Sequence, residues 1–127
     1  MQLQLEHNLA HVSIEIVYRG VVLHIPRVIL DTGSATTLLS VDYVERAGII
    51  PEAGDRIHNI YGVGGVESVF MRNLDSLHVG GKTIEYFSVD VGGMDYACDI
   101  NGILGMDFLL RAGALIDLRA LTLQFAE

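Results

Sequence analysis

The chain has 127 residues, half of them apolar, and a formal net charge of -8 from 8 Lys and Arg against 16 Asp and Glu. This length suits one domain with its own core, so we expect a single domain over residues 1–127. The acidic balance argues against binding nucleic acid or anionic lipid, because both need clustered Lys and Arg. The N-terminus lacks the basic start of a signal peptide, and no apolar run reaches membrane-spanning length. We therefore expect a cytoplasmic protein that contacts neither nucleic acid nor membrane.

The first thirty residues are rich in apolar and β-branched side chains. They predict strands over residues 10–17, 21–25 and 28–30. Arg19-Gly20 is typical of a turn, and Pro26-Arg27 marks a bend or an edge position between the last two strands. The chemistry-bearing part of the chain follows directly on this strand-rich start.

The remainder of the chain alternates short strands with two short helices. Ser40 and Gly48 suit the two ends of a helix, and Gly113 suits the end of another. Gly80-Gly81 is a hairpin signal. The predicted elements are a helix over 41–47, a hairpin of strands 56–60 and 66–72, strands around 76–79 and 83–91, a helix over 106–111 and a closing hairpin over 114–125. The predicted class is therefore all-β, with one or two short helices.

One short segment has the composition of a catalytic turn. An apolar strand ending in Ile29-Leu30 continues directly into Asp31, Thr32, Gly33 and Ser34. A carboxylate that activates water needs a fixed position and a tuned pKa. A glycine lets the backbone approach the acid, and the Gly33 N–H or the Ser34 hydroxyl could donate a hydrogen bond to the ionised carboxylate. Taken alone, these residues are equally compatible with a structural turn that ends a strand.

Two further segments favour the catalytic interpretation. The predicted hairpin has a glycine-rich tip formed by Tyr61, Gly62, Val63, Gly64 and Gly65. Such a tip suits a mobile cover that excludes water and grips an extended peptide through backbone hydrogen bonds. The apolar run Ile103, Leu104 and Gly105 precedes the second helix. Either segment alone is also compatible with an ordinary surface hairpin or a buried strand.

The order and separation of these three segments resemble the retropepsin-like (clan AA) aspartic peptidases. The resemblance extends from about Val12 to Phe125. It implies an all-β, closed β-barrel of the acid-protease fold, in which each protomer is a single lobe and two protomers meet across a two-fold axis. The tail over residues 114–123 looks more like the C-terminal hairpin of the Ddi1-type eukaryotic and related bacterial members than the single terminal strand of the viral ones.

The resemblance implies a role for each residue of the catalytic turn. Asp31 would be the catalytic acid and base, one from each protomer. Thr32 would bond across the dimer to its counterpart, and Gly33 would let the loop approach the substrate. Ser34 would hydrogen-bond the outer carboxylate oxygen of Asp31.

The other two segments would surround this turn. Residues 61–65 would form a flap over the substrate, and Ile103, Leu104 and Gly105 would support the active-site loop from beneath. The register of the flap stays open, because Tyr61 precedes the first glycine of the tip and Val63 follows it.

One Asp-Thr-Gly motif supplies half of a catalytic pair, and Asp99, Asp107 and Asp117 lack the Thr-Gly context. We therefore expect a homodimer that hydrolyses a peptide or protein substrate, and an inactive monomer. An alternative is a catalytically silent peptide-binding or dimerisation module on the same fold.

No metal or other cofactor is expected. His7 and His11 have the spacing of a helical metal pair, but no Glu follows His7 as in a metallopeptidase. Cys98 is the only cysteine, so it has no disulfide partner in this chain and is read as a small core or surface residue. Ser34 lacks the glycine-flanked elbow of a nucleophilic serine.

Overall fold

The computed structural model of the chain describes residues 1–62, 65–94 and 99–126. The elements of these residues are β1 Gln4–Glu6, β2 Leu9–Tyr18, β3 Val21–Leu30, β4 Leu38–Ser40, α1 Val41–Val44, β5 Ile57–Gly62, β6 Gly65–Asn73, β7 Ser76–Val79, β8 Lys82–Glu85, β9 Ser88–Gly92, β10 Gly102–Leu104, α2 Met106–Ala112, β11 Ala114–Asp117 and β12 Thr122–Phe125. Strands dominate, so the predicted all-β class with short helices is confirmed.

The strands form one large mixed sheet and one separate hairpin. The order in the large sheet is β5-β6-β9-β4-β10-β3-β2-β7-β8, with β1 paired to β2, and β11 pairs with β12. Most neighbours are antiparallel. Two pairs are parallel, β10 with β3 and β4 with β9. The β10–β3 pair brings the C-terminal ends of these two strands together, and the turn that begins at Asp31 lies at that point.

β2 and β3 form the longest hairpin because their side chains alternate between the core and the outside. Val12, Ile14 and Ile16 of β2 are buried, as a strand with one face on a core requires. The bend predicted at Pro26-Arg27 does not split β3, which continues from Val21 to Leu30. Instead the β2–β3 register shifts between Val12 and Ile14. The extra residue is absorbed as a bulge, where Arg27 has a φ of 61°.

The two helices occur where they were predicted, with differences at their ends. α1 is continued by a 3-10 turn, Glu45–Ala47, and Gly48 ends it with a φ of 85°. Ser40 occupies the N-cap position of α1 but its side chain makes no capping hydrogen bond. α2 ends at Gly113, whose φ of 65° is the left-handed conformation expected of a C-terminal glycine.

Two strand predictions were incomplete. The strand predicted over 83–91 is interrupted at Tyr86, which has a φ of 55°, so β8 and β9 are separate and pair with different neighbours. β1 was not predicted. It pairs with β2 through a turn at His7 and Asn8, both with positive φ. His7 and His11 therefore do not share a helix, and the metal pair considered from their spacing is not formed.

The core divides into two clusters of unequal size. The larger one lies between the long β2–β3 hairpin, the adjoining strands and α2, and includes Ile16, Leu77, Phe87 and Phe108. The smaller one is formed by Leu38, Val69 and Met94, with Ile60, Ile100 and Ile103 packed against it. Among the described residues, no helix has the length and apolar character needed to cross a membrane.

Candidate active site

Asp31 lies at the end of β3, where the parallel strand β10 fixes its backbone. Leu30 is paired with Leu104, and the Asp31 N–H donates to the Leu104 carbonyl oxygen at 3.0 Å. The Ser34 N–H then donates to the Asp31 carbonyl oxygen at 3.2 Å, which closes a tight turn. The Asp31 side chain remains partly exposed. The fold thus holds this carboxylate at a defined position that solvent can reach.

Gly33 holds the Asp31 carboxylate. Its N–H donates to Asp31 Oδ1 at 2.9 Å, and a Cβ at position 33 would lie 3.1 Å from the same oxygen. This hydrogen bond fixes the orientation of the carboxylate within the turn. The Ser34 hydroxyl was predicted to bond the outer oxygen of Asp31. It donates instead to the Thr36 carbonyl oxygen at 2.7 Å, because the turn directs it along the loop.

Gly105 allows α2 to approach the active-site loop, residues 31–37, much more closely than any other residue would. A Cβ at position 105 would lie 2.4 Å from the Thr36 carbonyl oxygen and 2.9 Å from that of Ser34. This approach lets the Met106 N–H donate to the Ser34 carbonyl oxygen at 2.8 Å. Of the predicted supporting residues 103–105, Leu104 and Gly105 contact this loop, and their support of an active site stays a prediction.

Asp107 fixes the other end of the active-site loop, and sequence reasoning missed this role. Its Oδ1 accepts from the Thr37 hydroxyl at 2.7 Å, and its Oδ2 accepts from the Thr37 N–H at 3.0 Å. The buried Thr37 hydroxyl also accepts the Gly105 N–H at 3.1 Å. Asp107 stands in the first turn of α2, where a negative charge is favourable. Its carboxylate therefore has a structural function.

A second missed carboxylate, Asp90, joins the loop to the neighbouring hairpin. It lies on β9 with a side chain that is 3 % exposed. Its Oδ2 accepts from the Thr36 hydroxyl at 2.8 Å, and its Oδ1 lies 3.3 Å from His58 Nε2 on β5. The signal in the sequence is an acidic residue between two valines in a strand, because a buried charge needs partners.

The predicted flap corresponds to the hairpin of β5 and β6. Tyr61 pairs with Val66, and Gly62 pairs with Gly65, which has a φ of 114°. Tyr61 is 79 % exposed, so its ring is available for contact. Val63 and Gly64, the other predicted flap residues, lie outside the described residues.

The base of the flap is fixed by a polar cluster around Arg72 on β6. The Arg72 guanidinium donates to both carboxylate oxygens of Asp55, at 2.7 and 2.9 Å, and to the hydroxyl of Tyr18 at 2.9 Å. The Glu52 N–H also donates to the Asp55 carboxylate, at 2.7 Å. The Glu52 N–H, and after it Arg72, hold the pKa of Asp55 below its usual value. This cluster anchors the flap where it joins the large sheet.

Among the described residues, no hydrogen bond joins Asp31 to a second carboxylate, and no three His, Cys, Asp or Glu side chains are grouped as a metal site would require. Cys98 lies outside the described residues. Within the described part of the chain, Asp31 is the catalytic candidate that the predicted segments bring to this site.

The sequence comparisons agree with this geometry. A family model described as aspartyl protease matches residues 14–108, which is more than half of the chain and includes Asp31, the flap hairpin and the start of α2. A search of curated proteins finds no significant match. Because the match covers more than half of the chain, the chain belongs to an aspartyl protease family.

Proposed function

We propose that this protein is an aspartic endopeptidase whose active site is completed by a second copy of the same chain. The observation that carries the proposal is the setting of Asp31. Its carboxylate is fixed by the Gly33 N–H at the end of a supported strand and remains partly exposed. Two such carboxylates in contact cannot both ionise easily, so a pair of them holds one proton between a base and an acid.

The proposed reaction uses the two Asp31 side chains in different protonation states. The ionised one takes a proton from a water molecule as the water oxygen attacks the peptide carbonyl carbon. The protonated one donates its proton to the carbonyl oxygen. As the tetrahedral intermediate collapses and its C–N bond breaks, one of its hydroxyl groups returns a proton to the Asp31 that had donated one. The Asp31 that took the water proton passes it to the leaving nitrogen, which restores both carboxyl groups. This chemistry needs no metal or other cofactor, and none is proposed.

The surface near the C-terminus supports association with a second copy. β11 and β12 form a two-stranded sheet of their own, and a lone two-stranded sheet is marginal in water. Leu115 on β11 is 60 % exposed, and Leu118 in the turn is 70 % exposed. β12 has β11 on one side, and the N-terminal segment contacts it through the Gln2–Thr122 bridge. A hairpin of the Ddi1 or bacterial type would bury these leucines against its copy, and Thr32 would then bond to its counterpart.

The smaller apolar cluster supports a preference for apolar, extended peptides. Ile60 comes from the flap strand β5, while Leu38 and Ile103 come from the strands that flank the Asp31 loop. These side chains thus join the flap hairpin to the strands beside the Asp31 turn. The flap strands could bind the backbone of a peptide, and this cluster could receive its apolar side chains.

The decisive experiment mixes wild-type chain with Asp31→Asn at a fixed total concentration and measures cleavage of a peptide library. If each site takes one Asp31 from each of two chains, activity falls with the square of the wild-type fraction. If each chain carries a complete site, activity falls in direct proportion to that fraction. The mass of each species in solution is measured in parallel.

Asp42→Asn is the matched control, because Asp42 is an exposed carboxylate on α1 outside the candidate site. We expect it to dimerise and cleave like the wild type. A wild-type dimer that binds peptides without cleaving them would refute the peptidase proposal and favour the silent binding module. A stable wild-type monomer that cleaves peptides would refute the shared site.

A further inference from the structure

We infer that His58 and Asp90 form a side-chain latch that positions the flap over the active-site loop. The inference deepens the proposed peptidase function and rests on it for its catalytic consequence. The latch is the contact of His58 Nε2 with Asp90 Oδ1 at 3.3 Å, together with the hydrogen bond of Thr36 to Asp90 Oδ2. It is a positioning device, because neither His58 nor Asp90 is assigned to the reacting atoms.

The burial of Asp90 requires an explanation. Its side chain is 3 % exposed, and an uncompensated buried carboxylate is strongly destabilising. Among the described residues, no Lys or Arg lies within ion-pair distance of it, and its contact on the flap is the imidazole of His58, which can donate a hydrogen bond to it. An apolar residue would fill this position between two valines equally well. The buried carboxylate is therefore explained by its specific polar contacts.

The latch lies where the flap leaves the support of the sheet. β6 pairs with β9 from Phe70 to Asn73, opposite Val91 to Ser88. Among the described residues, the outer half of β6, beyond Phe70, pairs with β5 and with no other strand. His58 is paired with Val69, the first residue past this boundary. Its side chain therefore crosses from the outer flap back to the body of the protein.

The link continues from the flap to the catalytic turn. His58 contacts Asp90, Asp90 accepts from the Thr36 hydroxyl, and the Thr36 carbonyl oxygen accepts from the Ser34 hydroxyl. Ser34 is three residues from Asp31. This series of contacts fixes the position of the flap relative to the Asp31 loop. Without the contacts, the flap would sample open positions more often.

Loss of the latch should therefore act on substrate binding more than on chemistry. A cover that is open more often lowers the population of the competent state, and the apparent affinity falls by the same factor. We expect His58→Leu and Asp90→Asn each to lower kcat/KM about tenfold, mainly through a higher KM. The double variant should lose little more than either single one, because both remove the same contact. His58→Gln should recover part of the loss, since its amide can still donate to Asp90.

Hydrogen exchange tests the latch without turnover. We expect the β5 amides to exchange several-fold faster in His58→Leu and Asp90→Asn, while β2 and β3 exchange as in the wild type. Ser68→Ala is the matched control, because it removes the Ser68–Asn59 hydrogen bond of 2.9 Å within the same hairpin without touching the body. His58 is 40 % exposed, so His58→Leu should fold even if Asp90→Asn does not.

The two proposals fail separately. The latch is refuted if the β5 amides of His58→Leu exchange at the wild-type rate, or if Ser68→Ala raises their exchange rate as much as His58→Leu does. This holds whether or not the protein cleaves peptides. If exchange responds as expected but no peptide is cleaved, the latch stands and the peptidase proposal fails. If exchange responds and cleavage occurs with unchanged KM and kcat, the latch holds the flap but its catalytic role is refuted.

Discussion

Two neighbouring regions, the active-site loop (residues 31–37) and the flap hairpin (residues 57–73), differ in how densely the rest of the protein fixes them. The loop is fixed from beneath at close intervals by Leu104, Met106 and Asp107. The flap has a well-anchored base around Arg72 and Asp55, but the strand pairing of its outer half lies within the hairpin, as far as the described residues show. The flap also exposes large apolar side chains, since Ile57, Tyr61 and Val66 are all largely exposed.

Under the proposed function, this difference suits the two regions to different mechanical tasks. A carboxylate that activates water must keep its position, and dense hydrogen bonding to a buried strand and a helix start achieves this. A cover that admits and releases a polymer must open, and regions with few buried contacts open at low cost. Substitutions in the loop should therefore cost stability and activity together, whereas substitutions in the flap should cost activity with little loss of stability.

The largest expected effect is that of Gly105→Ala. The added Cβ would lie 2.4 Å from the Thr36 carbonyl oxygen, so the backbone of the loop or of α2 must move. We expect a loss of about 3 kcal/mol or more in the free energy of unfolding, and loss of cleavage, because the Asp31 turn moves with the loop. Urea unfolding and a peptide cleavage assay measure both. Gly81→Ala is the control, since a Cβ there meets nothing within 4 Å; an equal effect of the two would contradict the close-contact argument.

Asp107→Asn should have the next largest effect. The carboxylate accepts from the Thr37 hydroxyl, the Thr37 N–H and the Phe108 N–H, and an amide replaces one accepting oxygen with a donor. We expect a loss of about 1–3 kcal/mol, the cost of leaving buried partners of a charged group unmet. Chemical unfolding gives the value. A variant as stable as the wild type would show that the loop does not depend on this carboxylate.

The sequence revealed the parts of the site that carry local signals. Asp31 with Gly33, the glycine tip after Tyr61 and the Gly105 junction each combine an apolar strand with a residue that permits an unusual backbone approach. The helix ends at Gly48 and Gly113 were predicted for the same reason, because left-handed backbone favours glycine. Each of these features depends on residues that are adjacent in the chain.

The parts that were missed depend on pairing between distant segments. Asp107 and Thr37 are 70 residues apart, and Thr36 and Asp90 are 54 apart. A carboxylate has no local pattern that shows which distant hydroxyl it will accept from. Asp107 was considered only as a second catalytic acid and was set aside for lack of the Thr-Gly context, whereas in the structure its carboxylate holds Thr37. The interruption of the strand at Tyr86 was also missed, because its positive φ occurs at a residue that seldom adopts it.

Gly65→Ala tests the flap side of the comparison. Gly65 has a φ of 114°, which an alanine adopts only with strain, but a Cβ there meets nothing within 4 Å. We expect a stability loss of about 1 kcal/mol, and a reduction in kcat/KM that is larger than this loss explains. The two are compared in unfolding and cleavage experiments on the same preparation. A stability loss equal to that of Gly105→Ala would contradict the view that the outer flap is loosely held.

The smallest effect is expected for Asp55→Asn at the flap base, and it should depend on pH. The Glu52 N–H and the Arg72 guanidinium keep the folded-state pKa of Asp55 below its unfolded-state value. Folding therefore favours the ionised form, so its stabilisation is complete above the unfolded-state pKa and disappears as pH falls through the folded-state pKa. Asp55→Asn should be less stable than the wild type at neutral pH, and the difference should shrink on acidification below about pH 4. The deficit should be modest, since Arg72 retains Tyr18 and the Ile50 carbonyl oxygen as acceptors. Urea unfolding of both proteins across pH measures the difference in their free energies of unfolding. A difference that grows toward acid pH would contradict the lowered pKa of Asp55 and its role in anchoring the flap.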